Sequence, residues 1–188
     1  MRNGHVKSCG CLHIESAQKQ GKANKKYNTY DLFDDFGIGY TTKGEEFYFD
    51  AEDYNLIKDY CWYIDKSGYV INRTNNKTTL FHRLVMHAPD DKQVDHIYHK
   101  KNDNRKSQLR LCTNSENSMN RPAQKNSTSG IKGVYWYPNQ GKWAAEIVLK
   151  GKRQEQCFFD TQEEAIQARK EMEEKYFGEF SYKEGCDV

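Results

Sequence analysis

The chain has 188 residues, of which 36% are hydrophobic and 30% charged, so small modules are expected rather than one large core. Its formal net charge is +2, but residues 31–65 carry −8, residues 99–153 carry +9 and residues 160–188 carry −5. No long apolar run and no apolar leader are present, which predicts no membrane span and no secretory signal.

The basic segment between two acidic ones is typical of a surface that meets a polyanion, although on charge alone an ordinary solvated surface is the alternative. Of the six cysteines, only Cys9 and Cys11 lie close together. In a reducing compartment we expect thiols or metal ligands rather than disulfides.

Turn signals and composition divide the chain into six segments. These are a basic arm (1–30), an α+β scaffold module (31–93), a compact motif (94–121), a polar linker (122–130), a unit of strands and one helix (131–182) and a tail (183–188). In the scaffold module we predict strands over 37–41 and 46–49, a helix over 51–60 capped by Asp50, and short apolar segments or strands over 61–64, 69–72 and 79–86.

In the last large unit we predict strands over 134–137, 143–149 and 153–159, with turns at 139–141 and 151. A helix over 162–177 follows, which Asp160 or Thr161 caps and Gly178 ends. Ala165, Ala168, Met172 and Tyr176 recur at helical spacing, which predicts a three-stranded antiparallel sheet packed on one helix. The fold class is therefore α+β, in a small chain of several modules.

The motif at 94–121 places polar residues where a compact site would need them. Asp95-His96 ends an apolar strand, a polar loop follows, and 109–111 forms a return strand. Thr113 and Glu116 form a capping box that opens a helix, with Asn117 in its first turn. This geometry brings together two oxygen ligands, which suit Mg²⁺ or Mn²⁺, and a histidine that can deprotonate water.

This segment resembles the HNH family of ββα-metal nucleases, in particular its phage homing-endonuclease branch. The resemblance implies a ββα-metal core in which Asp95 and Asn117 hold one divalent ion, Mg²⁺ or Mn²⁺, and His96 is the general base. Arg105, Lys106 and Arg110 would contact phosphates. Where the family's central motif residue is an asparagine that braces the loop, this chain has Gln108, and Asn104 or Asn102 is the candidate substitute.

Residues 130–181 resemble the plant ethylene-response-factor (APETALA-type) DNA-binding domain, through Gly133-Val134, the segment 141–147 and the segment 159–161. In that family the sheet lies in the major groove. The positions that match the DNA-binding face are Tyr135, Tyr137, Lys142, Trp143, Glu146, Lys150, Lys152 and Arg153. Core packing is the alternative role for Trp143.

Two N-terminal segments also resemble parts of such nucleases. Cys9 and Cys11 are similar to the last knuckle of a small zinc module, but four ligands are needed and no second cysteine pair accompanies them, so zinc is not expected there. The scaffold module resembles the one that precedes such nucleases, with Tyr54, Trp62, Tyr69 and His82 as its signature.

These observations predict an HNH homing-type endonuclease that nicks one strand of double-stranded DNA as a monomer or weak dimer. It would act in the cytoplasm, that of a bacterial host if the chain is phage-encoded. A fragment ending near Gln124 is expected to cut alone, with little site preference. A non-catalytic DNA-binding regulator with the HNH fold is the first alternative. A zinc-dependent binding module, based on Cys9 and Cys11, is the second.

Overall fold

The computed structural model describes residues 27–183, which form mixed α and β structure with several small antiparallel sheets. The strands are β1 (Thr29–Leu32), β2 (Phe36–Tyr40), β3 (Glu46–Asp50), β4 (Tyr63–Ile64), β5 (Val70–Thr74), β6 (Lys77–Leu80), β7 (Gln93–His96), β8 (Leu109–Cys112), β9 (Val134–Tyr137), β10 (Lys142–Leu149) and β11 (Lys152–Phe159). The helices are α1 (Tyr54–Ile57), α2 (Phe81–Val85), α3 (Asn114–Met119) and α4 (Gln162–Phe177). None of the helices within residues 27–183 combines the length and the apolar character that a membrane-spanning helix needs.

An aromatic core joins the N-terminal sheets to the β7–β8 hairpin. Phe47, Trp62 and Phe81 are almost fully buried in it. Val94 from β7 and Leu109 from β8 belong to the same cluster. Because both strands of the hairpin contribute to this core, the N-terminal sheets fix the orientation of the hairpin.

Two elements of the N-terminal module differ from the sequence predictions. The predicted helix over 51–60 is a 3-10 turn over 51–53 followed by the short α1, and Asp50 makes no capping bond. Its carboxylate instead accepts the backbone N–H of Lys106 at 2.7 Å. The predicted apolar segment over 79–86 is the end of β6 followed by α2. In the first case a tertiary partner of Asp50 overrides the local capping signal.

The C-terminal unit has a three-stranded antiparallel sheet, in the order β11-β10-β9, packed against α4. Thr161, rather than Asp160, is the N-cap of α4, and it forms a capping box with Glu164. The helix ends at Gly178, whose φ of 52° reverses the chain direction. Ala165 and Met172 are buried against the sheet.

A buried arginine of α4 packs closely against β10 and against Gly133, the residue before β9. Arg169 is 2% exposed, pairs with Glu173 at 2.8 Å, and donates to the backbone oxygen of Glu146 at 2.5 Å. Gly133 has a φ of 75°, and a Cβ there would lie 2.5 Å from the same oxygen and 3.0 Å from the Arg169 guanidinium. A side chain at position 133 would therefore push the helix away from the sheet.

The C-terminal unit also contacts the compact motif directly. Lys132 Nζ donates to the backbone oxygens of Ser118 and Met119 at 2.5 and 3.4 Å, which satisfies carbonyl groups at the end of α3. The side chain of Met119 packs against the cluster between the C-terminal sheet and α4. The two units are therefore connected through side chains as well as through the linker.

One histidine lies inside the N-terminal core. His82 is 5% exposed, its ring is 5.1 Å from that of His96, and its Nδ1 has no hydrogen-bond partner within residues 27–183. Burial, with smaller contributions from His96 and Arg83, lowers the pKa of His82 to about 3. His82 therefore stays neutral in the folded protein at pH values where an unfolded histidine is charged.

We predict that His82 makes the protein sensitive to acid. Because the folded pKa is depressed, its contribution to stability is present above pH 6.5 and is lost as pH falls toward about 3, at about 1.4 kcal/mol per pH unit. His82→Leu should therefore flatten the fall in the free energy of unfolding between pH 6.5 and 4.5, measured by urea denaturation. Substitution of the exposed His87 serves as the control, and parallel curves for parent and His82→Leu would contradict the assignment.

Candidate active site

The β7–β8 hairpin carries the acid and the histidine of the motif. The two strands are antiparallel, with Asp95 opposite Arg110 and His96 opposite Leu109. Asp95 is 7% and His96 6% exposed. A buried carboxylate is costly unless charged or polar groups compensate it, so the partners of Asp95 decide what this residue can do.

The two oxygens of Asp95 have different surroundings. Oδ2 accepts hydrogen bonds from Nε and Nη2 of Arg110 at 2.9 and 2.7 Å and from Nδ2 of Asn120 at 2.8 Å. Oδ1 receives no hydrogen bond from residues 27–183. Oδ2 is thus saturated by hydrogen bonds, and Oδ1 is an oxygen of the type that could hold a hard cation.

His96 is held by an asparagine of the loop between the two strands. Its Nε2 lies 3.4 Å from Oδ1 of Asn104, and Nδ2 of Asn104 donates to the backbone oxygen of Asn102 at 3.2 Å. An amide oxygen only accepts, so this contact is a hydrogen bond in the tautomer that carries the proton on Nε2 and leaves Nδ1 as the basic nitrogen. Burial lowers the pKa of His96, opposed by the Asn104 hydrogen bond and nearby acids, which favours the neutral ring.

The N-terminal module holds this loop in place. The backbone N–H of Tyr48 in β3 donates to the backbone oxygen of Asn102 at 2.9 Å. The backbone N–H of Asn104 donates to the backbone oxygen of Tyr48 at 2.8 Å. Lys101 Nζ donates to the backbone oxygen of Ser67 at 2.8 Å. Since Asn104 is fully buried, its position relative to His96 depends on these contacts.

Helix α3 supplies the third motif residue. The predicted capping box of Thr113 and Glu116 opens the helix. Nδ2 of Asn117 donates to Oε1 of Gln93 at 2.5 Å, and its amide oxygen receives no hydrogen bond from residues 27–183. The hydrogen bond from Nδ2 to Gln93 therefore orients the Asn117 amide, and the amide oxygen remains available to bind a metal ion.

These side chains converge on one pocket of about 210 Å³. Asp95, His96 and Asn117 line it together with Tyr69, Val94, His99, Lys101, Asn120, Arg121 and Pro122. Within the described part of the chain, no three His, Cys, Asp or Glu side chains form a metal cluster. The side-chain oxygens in this pocket include the Asp95 carboxylate and the amides of Asn117 and Asn120, and oxygen donors of this kind fit a hard divalent ion such as Mg²⁺ or Mn²⁺. Cys9 and Cys11 lie outside the described residues.

The other motif residue, Gln108, does not reach this pocket. Its side chain is near Ser107, at 3.5 Å, and faces a separate cleft beside Tyr48 and Arg105. Asn104 provides the amide beside His96. Sequence reasoning missed Asn120, although its spacing of three residues from Asn117 places both on one side of α3.

The three cations predicted to contact phosphates all have partners within the protein. Arg105 pairs with Asp103, Lys106 with Glu52 and Asp53, and Arg110 with Asp95. The Arg110 side chain is 11% exposed, so a phosphate would have to displace Asp95 to reach it. Phosphate contact by these residues stays a prediction.

The open face of the C-terminal sheet is polar and aromatic. Tyr135 Oη donates to Glu146 at 3.1 Å and accepts from Gln156 at 2.9 Å, and Arg153 pairs with Glu146 at 3.0 Å. The rings of Tyr137 and Phe158 are 5.3 Å apart. These contacts place the side chains on the face away from α4, because residues alternate between the two faces of a strand.

The remaining predicted DNA contacts of this unit have different positions. Lys142 pairs with Asp160 at 3.1 Å, and Lys150 and Lys152 are exposed at the β10–β11 turn. Trp143 packs against the cluster between sheet and helix, opposite Trp136 in β9. Its core-packing role is the observed one, and its assignment to the DNA-reading face is wrong because it points toward α4.

Two viral proteins are similar to this chain. An uncharacterized HNH endonuclease of Acanthamoeba polyphaga mimivirus is 33% identical over 165 residues, covering 82% of this chain and 85% of that protein. Protein 3.8 of Escherichia phage T7 is 32% identical over 65 residues, covering 35% of this chain and 54% of that protein. No family model and no solved structure matches the chain. Because the first similarity extends over most of both proteins, the chain belongs to the HNH endonuclease family.

Proposed function

We propose that the protein is a metal-dependent DNA endonuclease that nicks one strand of double-stranded DNA and uses its C-terminal unit for sequence recognition. The observation that carries the proposal is the convergence of Asp95, His96 and Asn117 on one pocket. Each of these side chains is held by a neighbour that leaves its functional atom without a partner within residues 27–183.

The proposed chemistry uses the side-chain atoms of Asp95, His96 and Asn117 that have no hydrogen-bond partner within residues 27–183. Oδ1 of Asp95 and the amide oxygen of Asn117 would hold Mg²⁺ or Mn²⁺, which supplies Lewis-acid stabilisation of charge on the phosphate. Nδ1 of His96 removes a proton from water, the resulting hydroxide attacks phosphorus, and the bond to the 3′ oxygen breaks as that oxygen takes a proton from solvent. One such pocket in a monomer cuts one strand.

A cleft connects the pocket with the C-terminal sheet. Arg121 and Pro122 line the pocket and also a larger cleft of about 490 Å³, which runs along the linker to Tyr135. No Asp or Glu side chain lines this cleft, whereas Arg121 and Lys132 do. A DNA strand leaving the pocket along this path would meet no carboxylate before it reaches Tyr135 on the open face of the sheet.

Sequence recognition is assigned to the open face of the C-terminal sheet. This assignment follows the ethylene-response-factor resemblance and the placement of Tyr135, Tyr137 and Arg153 on that face. Direct reading of bases needs hydrogen-bonding groups that enter a groove. The Tyr135 hydroxyl, Glu146 and Gln156 provide such groups.

A non-catalytic DNA-binding regulator is the alternative. Its main support is the replacement of the family asparagine by Gln108. Because Gln108 lies outside the pocket and Asn104 is hydrogen-bonded to His96, the replacement does not remove an amide from the site. The structure therefore favours the catalytic proposal over the regulator.

We predict that the full chain converts supercoiled plasmid to open circles in Mg²⁺ or Mn²⁺, and that a chelator stops the reaction. His96→Asn should lower the rate by about 10²–10⁴-fold, because an amide cannot act as the base, without loss of DNA binding. His87→Asn, at an exposed histidine, is the matched control. Equal rates for His96→Asn and the parent would show that His96 is not the base.

A second prediction compares the two amides. Asn104→Ala leaves the buried Nε2 proton of His96 without its acceptor and should lower the nicking rate by about tenfold to a hundredfold. Gln108→Ala, on the surface, should change it by less than about twofold. Plasmid nicking at saturating Mn²⁺ measures both rates, and thermal melting checks that both variants fold. A larger loss for Gln108→Ala would reverse the assignment of the bracing residue.

A third prediction concerns DNA affinity, measured with chelator so that no cleavage occurs. Lys150→Ala and Lys152→Ala should each reduce the slope of log affinity against log salt concentration by about one unit. Lys170→Ala, at an exposed lysine on α4, should leave the slope unchanged. If the Lys170 variant changes the slope and the other two do not, DNA binds the helix side of the unit instead.

A further inference from the structure

The chain beyond α4 returns to the active-site pocket. After Gly178, residues 178–180 form a 3-10 turn, and residues 179–183 lie against the β7–β8 hairpin and the end of α3. We call residues 179–183 the C-terminal strap. It comes from the unit assigned to DNA recognition, yet its contacts are with the nuclease motif.

The strap holds Arg110 from the side opposite Asp95. The backbone oxygen of Glu179 accepts a hydrogen bond from Nη1 of Arg110, and the guanidinium carbon lies 4.7 Å from the centre of the Phe180 ring. The other two nitrogens of the same guanidinium donate to Oδ2 of Asp95. The position of Arg110, and with it the orientation of the Asp95 carboxylate, therefore depends on the strap.

The second group that holds Asp95 is also anchored by the strap. Asn120 is 1% exposed, and its Nδ2 donates to Oδ2 of Asp95 at 2.8 Å. Its Oδ1 accepts from the backbone N–H of Lys183 at 3.4 Å. Both residues that donate to Oδ2 thus have their remaining polar side-chain atom, Nη1 of Arg110 or Oδ1 of Asn120, bound by the same short segment.

A third contact covers the edge of the pocket. The ring of Tyr182 stacks on His99, with centroids 5.1 Å apart and planes inclined by 29°. His99 lines the pocket beside Asp95 and His96. The strap therefore touches the site at three points, which belong to β8, to the loop and to the end of α3.

We propose that the C-terminal strap is a positioning element of the metal site, which acts through Arg110 and Asn120 to keep Oδ1 of Asp95 directed into the pocket. The inference rests on the proposed function and deepens it. It predicts, contrary to the sequence-based expectation, that a fragment ending near Gln124 does not cut alone, because such a fragment lacks the strap. Cleavage competence then requires the C-terminal unit to be folded and docked.

The test uses the full chain with Phe180→Ala and Tyr182→Ala combined, which leaves every pocket residue unchanged. Mn²⁺ affinity, measured without DNA by electron paramagnetic resonance, should fall by about tenfold, the lower end of the cost of losing an outer-shell partner. The Mn²⁺ concentration for half-maximal nicking should rise in parallel, while DNA affinity in chelator stays unchanged. Tyr63→Ala is the matched control, since Tyr63 is 37% and Tyr182 36% exposed.

Lys183→Pro is a second variant in case the double variant does not fold. It removes the N–H that donates to Asn120 and keeps both aromatic rings, and it should weaken Mn²⁺ binding in the same direction. Mn²⁺ affinity equal to that of the parent in a folded variant would overturn the strap's role.

The outcomes separate the two proposals. If the parent cuts and the strap variants bind Mn²⁺ as the parent does, the strap inference falls and the endonuclease proposal stands. If the parent binds Mn²⁺ without cutting and the variants bind it more weakly, the endonuclease proposal falls and the strap inference stands. If the parent binds no Mn²⁺, both fall.

Discussion

The ion pair between Asp95 and Arg110 controls the geometry of the whole site. A carboxylate as buried as Asp95 is stable only if it is hydrogen-bonded and its charge compensated, and Arg110 together with Asn120 does this through Oδ2 alone. Three donors on one oxygen fix the plane of the carboxylate. The same contacts that make burial possible therefore also decide where the second oxygen points.

The nuclease motif, which consists of the β7–β8 hairpin and α3, depends on the preceding module for its position. The β7–β8 hairpin and α3 together bury few apolar side chains, and Val94 and Leu109 obtain their core from Phe47, Trp62 and Phe81 of the preceding module. The loop that carries Asn104 obtains its backbone partners from β3. A motif of this size cannot hold three polar side chains at fixed positions by its own packing.

Local signals in the sequence predicted some elements well. The capping box of Thr113 and Glu116, and a cap at Asp160 or Thr161, each predicted the start of a helix. Both helices are present, and Thr161 caps the second. The strand segments and turn signals in residues 134–159 predicted β9, β10 and β11, whose sheet packs on α4. These features depend on neighbours a few residues apart, so the sequence pattern contains them.

The features that could not be predicted depend on partners far apart in the chain. Asp50 looks like a helix cap, but its carboxylate binds Lys106, 56 residues away. Arg110 looks like a free phosphate-binding cation, but it bonds to Asp95 and to Glu179, which is 69 residues away. No periodicity encodes such contacts, because they exist only after the sheets have packed.

The same long-range contacts determine how the two halves of the molecule are related. A linker over 122–130 alone would let the C-terminal sheet move relative to the pocket. Lys132 instead binds the end of α3, and on the far side of the unit the strap reaches Arg110 and Asn120. Because the C-terminal unit is attached at its beginning and at its end, its rotation relative to the nuclease motif is restrained, as well as its distance from that motif. The distance from the pocket to the open face of the sheet is therefore a property of the fold and not of the linker's length.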